Sequence, residues 1–224
     1  MPIATPSGGL EELVDETSGK EIVATPAIVD RFADLKKKYE QYLIIQEDLG
    51  QWVRNYLKEI VLPCDINLFL QTTQDYEHYP NYQKYTGIFI SQLIQNSYDA
   101  GNSDFELDMN LLKPINYLAS RLSGTEERMV RVVIKGEIGS WCGIRTRYSI
   151  FTIEKASDYC GYEAQHSIFT IEKAGKSCGK DTIYSIFKST DKELIKDILK
   201  NIARFKNNKV YHIQPDGTLK RRWF

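Results

Sequence analysis

The sequence predicts an α+β fold: a short parallel β-helix, a solenoid of 18-residue coils, capped by helices and preceded by an N-terminal helical region. Three observations predict it. Cys142-Gly143, Cys160-Gly161 and Cys178-Gly179 recur 18 residues apart, in phase with the triplets Ser149-Ile150-Phe151, Ser167-Ile168-Phe169 and Ser185-Ile186-Phe187. The first two triplets each open an apolar, β-branched stretch that small or turn-forming residues close before the next Cys-Gly pair, which reads as strand then turn. Upstream, the apolar residues recur in steps of three and four, which is helical periodicity.

Residues 1–25 carry Pro2, Pro6, Gly8, Gly9 and a surplus of acids, and predict a mobile tail. The region 26–101 is expected to be helical. Phe32, Leu35, Tyr39, Tyr42, Gln46, Leu49, Val53, Tyr56 and Ile60 form a heptad seam with one polar interruption, weakest at Gly50 and stopped at Pro63. That seam fits either self-association or a protein partner through the 28–60 helix, or packing within the same chain. "LIQNSYDAGNS" reads as a helix stopped at Gly101, followed by a strand from Phe105 to Met109.

The region 102–188 is expected to hold the β-helix with its N-terminal cap. "INYLASRLSG", after Pro114, reads as a helix ending at Gly124, and "MVRVVIKGEIGSW" as a degenerate first coil. In that coil Gly139 takes the place of Ser157 and Gly175, and Trp141 that of Tyr159. Eighteen residues are too few for a strand with a packed helix but suffice for one coil. Residues 189–224 follow as a capping helix and a hairpin. Thr190-Asp191-Lys192-Glu193 matches a capping box, with Leu194, Ile195, Ile198, Leu199, Ile202 and Phe205 on one helical face. "VYHIQPDGTLKRRWF" reads as two strands around Pro215-Asp216-Gly217.

The stretches "IEKAGKSCG" and "IKGEIGSWCG" resemble the glycine-punctuated coils of the right-handed β-helix domain of the glutamate synthase large subunit and of a formylmethanofuran dehydrogenase subunit. They are also similar to coils of uncharacterised archaeal repeat proteins. The resemblance covers about residues 102–188, and Glu154 and Lys155 stand where glycines are expected. It implies a fold and carries over no catalytic residue. An 18-residue turn equally fits three hexapeptides of a left-handed β-helix, so the handedness stays open.

Lys and Arg total 29 against 30 for Asp and Glu, so no net field attracts nucleic acid or an anionic membrane. No apolar run approaches the roughly 20 residues of a membrane helix, and no export signal opens the chain, which predicts a soluble, cytoplasmic protein. Cys64, Cys142, Cys160 and Cys178 are expected to be reduced. Thiols stacked at about 4.8 Å match neither a zinc tetrahedron nor a disulfide, so the expectation is a buried column with no metal and no cofactor. His166, between Tyr148 and Tyr184 in the repeat, is expected to be a stacking ring.

"LIQNSYDAGNSDFEL" is similar to the asparagine-bearing helix of the ATPases shared by gyrase, the MutL repair proteins and histidine kinases, with Asn96 toward magnesium. The general-base position holds Gln92, which cannot accept water's proton, and no Asp-x-Gly-x-Gly segment follows. A helix with a glycine C-cap is the expectation instead.

The function expected is that of a non-catalytic structural or interaction protein using a rigid β-helix as scaffold or docking face. The alternative is an enzyme or enzyme subunit, carbohydrate-acting or part of a multi-subunit redox complex. No catalytic residue is assigned, because no nucleophile and base pair or phosphate loop stands out. The candidate interaction surface comprises Tyr76, Tyr79, Tyr82 and Tyr85 of "QTTQDYEHYPNYQKY", together with Arg221, Arg222 and Trp223 near the C-terminus.

Overall fold

The computed structural model describes residues 32–44, 49–202 and 207–222. The expected tail 1–25, Gln46, Phe205 and Trp223 lie outside them. One seven-stranded sheet organises the chain: β1 (Asp104–Asp108), β2 (Val130–Ile138), β3 (Ser149–Ala156), β4 (Ile168–Ala174), β5 (Ile186–Ser189), β6 (Lys209–Ile213) and β7 (Leu219–Arg222). The strands lie side by side in chain order. All neighbours pair in parallel except β6 and β7, which are antiparallel around the Pro215-Asp216-Gly217 turn. Helices α1 (Ala33–Ile44), α2 (Leu49–Tyr56), α3 (Pro63–Thr72) and α4 (Tyr82–Asp99) precede the sheet, and α5 (Lys192–Ile202) is inserted between β5 and β6.

This corrects the expected fold class. The protein is of α/β type, a mostly parallel sheet with helices, and among the described residues no closed β-helix is built. Each repeat unit gives the sheet a single strand. The return leg, residues 157–167 in one unit, runs through left-handed residues at Tyr159 (φ 60°), Gly161 (69°), Glu163 (54°) and His166 (49°). Ladder pairing requires consecutive extended residues, so this leg cannot form a second sheet. Successive return legs are joined by backbone hydrogen bonds, such as Arg145 N to Tyr162 O and Gly161 N to Cys142 O, but the strand-like pairing between them is confined to isolated bridges, Ser123 with Arg147, Arg147 with Gln165 and Gln165 with Ile183.

The 18-residue register is kept inside the sheet. Ile150 pairs with Ile168 and Ile168 with Ile186, and the same holds for Phe151, Phe169 and Phe187. Between β2 and β3 the register slips by one residue at a bulge between Ile134 and Glu137. The three phenylalanines are fully buried and stack at 4.8 and 5.1 Å. The glycine of each Cys-Gly pair lies in the left-handed region, and a Cβ on Gly161 or Gly179 would come within 3.0 or 2.8 Å of the Phe169 or Phe187 ring. That contact is why the repeat keeps glycine there.

Helices cover the β1 edge and the β5–β6 region of the sheet. Asn67 and Gln71 of α3 bind the outer edge of β1, where Asn67 Oδ1 accepts the Asp108 N–H (2.9 Å) and Gln71 Nε2 donates to the Asp108 carbonyl (2.7 Å). Near the other end α5 packs Leu194, Ile195, Ile198 and Ile202 inward, against β5 and β6. Its N-cap is Asp191 rather than Thr190, since Asp191 Oδ1 accepts the Glu193 and Leu194 N–H groups (2.8 and 3.2 Å).

The expected helix over 115–124 is not formed. Left-handed residues at Tyr117, Ala119 and Arg121 make it a return leg like those that follow, bonded to the next at Tyr117 N to Ser140 O (2.9 Å). Of the heptad seam, Phe32, Leu35, Tyr39, Tyr42 and Val53 are buried inside this chain, with Tyr39 edge-on to both Phe69 and Phe89, whereas Tyr56 and Ile60 are 62% and 67% exposed. Asn96, the residue of the ATPase likeness, donates from Nδ2 to the carbonyls of Leu57 and Glu59, tying α4 to the end of α2. No described helix is long and apolar enough to cross a membrane.

Candidate recognition cleft

Where the first turn of α4 meets the first two return legs, the chain forms a cleft of about 660 Å³. Gly87 sets its depth. A Cβ there would lie 1.9 Å from the Asn116 carbonyl oxygen, so only glycine lets α4 come this close to the 115–118 turn. Asn116 N then donates to Gln83 O (3.1 Å), and Asn116 Oδ1 accepts the Ser140 N–H (2.8 Å). The contact brings Gln83 and Lys84 of α4 beside Asn116, Tyr117, Ser140 and Trp141.

One wall is aromatic. Tyr117, Trp141 and Tyr159 occupy equivalent positions of three successive return legs, all left-handed (φ 61°, 66° and 60°), and their half-buried rings form a column. Trp141 and Tyr159 stack at 4.2 Å and 3°, whereas Tyr117 and Trp141 are parallel within 6° but 6.0 Å apart. Trp141 thus has a parallel ring on each of its two faces. Tyr162 packs edge-on to Trp141 at 5.4 Å, behind the lining of the cleft.

The opposite wall is polar. Glu77 is held by Lys113, through Nζ at 3.1 Å and the backbone N–H at 3.1 Å, so these two charges cancel locally. Lys84 adds an exposed ammonium for which the described residues supply no ion-pair partner. The N-terminal end of the 18-residue helix α4 adds a field of the same sign. The backbone around the cleft is already engaged: besides the bonds above, Gly139 N donates to Ile115 O and Trp141 N to Asp158 O, each at 3.0 Å.

The four expected tyrosines divide. Tyr79, half-buried, and Tyr82, whose hydroxyl bonds Thr73 Oγ1 at 2.9 Å, line the cleft. Burial raises the Tyr82 phenol above its ordinary value, so it stays protonated. Tyr85 is in the core against Tyr42, and Tyr76 packs edge-on to Tyr39 and donates to Glu40. Arg221 and Arg222 lie on β7, at the other end of the sheet from β1 and its cleft, so they do not join the tyrosines. Asn81, Gln83, Lys84, Asn116 and Trp141 were not assigned to a site from the sequence. A glycine inside the helical stretch, Gly87, was the available signal of a close backbone approach.

Two other columns run along the repeat. Tyr148, His166 and Tyr184 stack at 4.9 Å each, which places His166 as a ring between rings. Cys142, Cys160 and Cys178 are fully buried. Hydrogen bonding to Cys160 and burial raise the Cys142 and Cys178 thiols well above their ordinary value, and the middle thiol, between two donors, holds its proton least firmly. No cluster of three or more metal-ligating side chains occurs among the described residues.

Comparison of the chain with protein families, with curated proteins and with solved structures finds no match in any of the three.

Proposed function

We propose that the chain is a non-catalytic interaction protein, in which the stacked sheet is a rigid scaffold and the cleft between α4 and the first return legs holds the partner molecule. One observation carries the reading: Tyr79, Tyr117 and Trp141 converge with Gln83, Asn116 and Ser140 on a cleft of about 660 Å³. That volume lies within the ~300–1,000 Å³ of small-molecule sites, which pair aromatic walls with a few placed polar groups. The scaffold supports it from behind, because the return legs that present Tyr117 and Trp141 are locked to one another by backbone hydrogen bonds.

The test uses the full chain and fractionated small-molecule extract. A fraction should raise the melting temperature of the wild type, by the linkage of binding to folding, and should raise that of a Gln83→Ala/Lys84→Ala variant much less. The compound recovered from the complex should be chemically unchanged. Recovery of a converted product would favour the enzyme reading, and equal shifts in both proteins would place binding elsewhere.

A further inference from the structure

We infer that the outward face of the sheet is an interface between two copies of this chain, stacked face to face about a two-fold axis along β4, with β1 of one copy over β7 of the other. Phe151, Phe169 and Phe187 turn toward the return legs, where Gly143, Gly161 and Gly179 approach their rings, so the residues that alternate with them face away. On that face the register lays out two cross-strand rows. One runs Asp104, Arg131, Ile150, Ile168, Ile186, Lys209; the other runs Glu106, Val133, Thr152, Thr170 from β1 to β4 and Lys188, Tyr211, Arg221 from β5 to β7. Every one of these residues is exposed or half-buried. A sheet face left in water is polar at alternate positions, yet β3, β4 and β5 each place an isoleucine here, in one column centred on β4.

The charges are disposed about the same centre. Strand β1 contributes Asp104, Glu106 and Asp108 against Arg131 and Lys135 of β2, whereas β5, β6 and β7 contribute Lys188, Lys209 and Arg221 with no carboxylate at their outward positions. A two-fold axis along β4 keeps the strand direction and reverses the strand order, so each row lies over itself. Ile150 then meets Ile186 of the second copy, Ile168 and Thr170 meet themselves, Val133 meets Tyr211 and Glu106 meets Arg221. The like-charged meeting, Arg131 with Lys209, has Asp104 beside it, paired with Arg131 at 3.3 Å. A polyanion would suit the β5–β7 end, but it meets Asp104 and Glu106 at the other and leaves the isoleucines in water. Six strand spacings of about 4.8 Å and about 15 Å of strand give a flat face of roughly 400 Å² on each copy. That is the size of a weak, reversible interface. The face shares no residue with the cleft, so this inference and the proposed function stand or fall separately.

The experiment sediments the full chain from about 1 to 200 µM, a range that brackets a weak dimer. The mass should rise toward twice the 25.9 kDa of one chain. Ile168→Lys sets two ammonium groups against each other on the axis and should weaken association at least about tenfold, with the melting temperature of the dilute protein unchanged. Cysteine linking reads the arrangement itself, in a Cys64→Ser background because Cys64 is exposed. Under air with copper phenanthroline, Thr170→Cys should form a disulfide-linked dimer. Thr152→Cys and Lys188→Cys should each stay unlinked alone and link when mixed. If Ile168→Lys misfolds, the linking pattern decides alone. The inference is overturned by a chain that stays monomeric throughout, by a dimer that survives Ile168→Lys, or by a dimer that Thr170→Cys fails to link. A monomer that binds polyglutamate or heparin through Lys188 and Lys209 overturns it too, and gives the face to an acidic partner.

Discussion

Asn208 Oδ1 accepts the backbone N–H of Ser185 at 2.8 Å, in the place where a serine hydroxyl serves the unit before. Ser167 Oγ takes the Ser149 N–H and Ser185 Oγ the Ser167 N–H, at 3.3 and 3.4 Å, so each unit satisfies a buried donor of the previous one. After Ser185 the repeat gives way to α5, and a later residue must end the series. Asn208, buried, also donates from Nδ2 to the Thr182 carbonyl at 2.8 Å, bonding the last return leg to the start of β6.

Asn208→Ala should therefore destabilise more than its size suggests. It leaves a buried N–H and a buried carbonyl without partners, each costing about 1–3 kcal/mol. Asn208→Asp keeps the acceptor but sets a buried carboxylate oxygen against the Thr182 carbonyl, and should destabilise at least as much. Urea midpoints of the three proteins check the order. An unchanged midpoint in the alanine variant would mean that water replaces both bonds.

Gly87→Ala sets two effects against each other. Alanine is the better helix former by about 1 kcal/mol, but its Cβ would meet the Asn116 carbonyl at 1.9 Å, and the backbone must move at an overpacking cost of about 1–3 kcal/mol. The net expectation is a lower melting temperature, with the cleft widened and its ligand bound less tightly. A stabilised Gly87→Ala variant would show that α4 and the 115–118 turn separate without penalty.

How much of this was legible depends on what each position answers to. The period of 18 was legible because stacking puts Ile150, Ile168 and Ile186 in one environment and so demands one side chain. The conformation of the return leg was not. Tyr159, Glu163 and His166 are left-handed although no local preference asks it of them, because the bonds between neighbouring legs impose it. A reading of turn propensity thus supplied a β-helix where the chain builds one sheet with bridged returns. The cleft was legible only as a tyrosine cluster, half of which is core. Its polar members come from segments about 30 residues apart, and they meet only because Gly87 admits the Asn116 turn.

Arg145 and Glu163, one repeat apart, pair at 2.6 Å on the outer surface beside Tyr162. The Arg145 guanidinium holds the Glu163 carboxyl below its ordinary value of 4.5. A depressed folded value means that the stabilisation is present above the ordinary glutamate range and is lost as pH falls through the depressed one. Both partners are substantially exposed, so the contribution is ~0.5 kcal/mol or less and weakens with salt. The melting-temperature gap between wild type and Glu163→Gln should be small at neutral pH and vanish in acid. A gap that widened in acid would contradict the pairing.

The thiols should separate by accessibility. Cys64 is exposed and Cys142, Cys160 and Cys178 are fully buried. A thiol reagent added to the native protein should label one cysteine quickly and the other three only on unfolding. Rapid native labelling of Cys160 would mean that the column opens.

The repeat itself can be tested by removing one unit. Excising residues 160–177 joins Tyr159 to Cys178-Gly179, the junction it now makes with Cys160-Gly161, and leaves every other position in phase. Strand β3 would then face β5, with Phe151 against Phe187 and Ile150 against Ile186, pairs of the kind each already makes with β4. The shortened chain should fold, at lower stability, because the burial of Phe169 and Ile171 is gone, at about 1.5–3 kcal/mol for each side chain. Excising only residues 160–168 instead joins Tyr159 to Phe169, so strand residues fall opposite the left-handed return leg and the phenylalanine column is broken. Thermal melts and near-ultraviolet circular dichroism of the two deletions give the comparison. A cooperative melt is expected from the first and none from the second, and equal damage from both would show that the units do not stack interchangeably in the sheet.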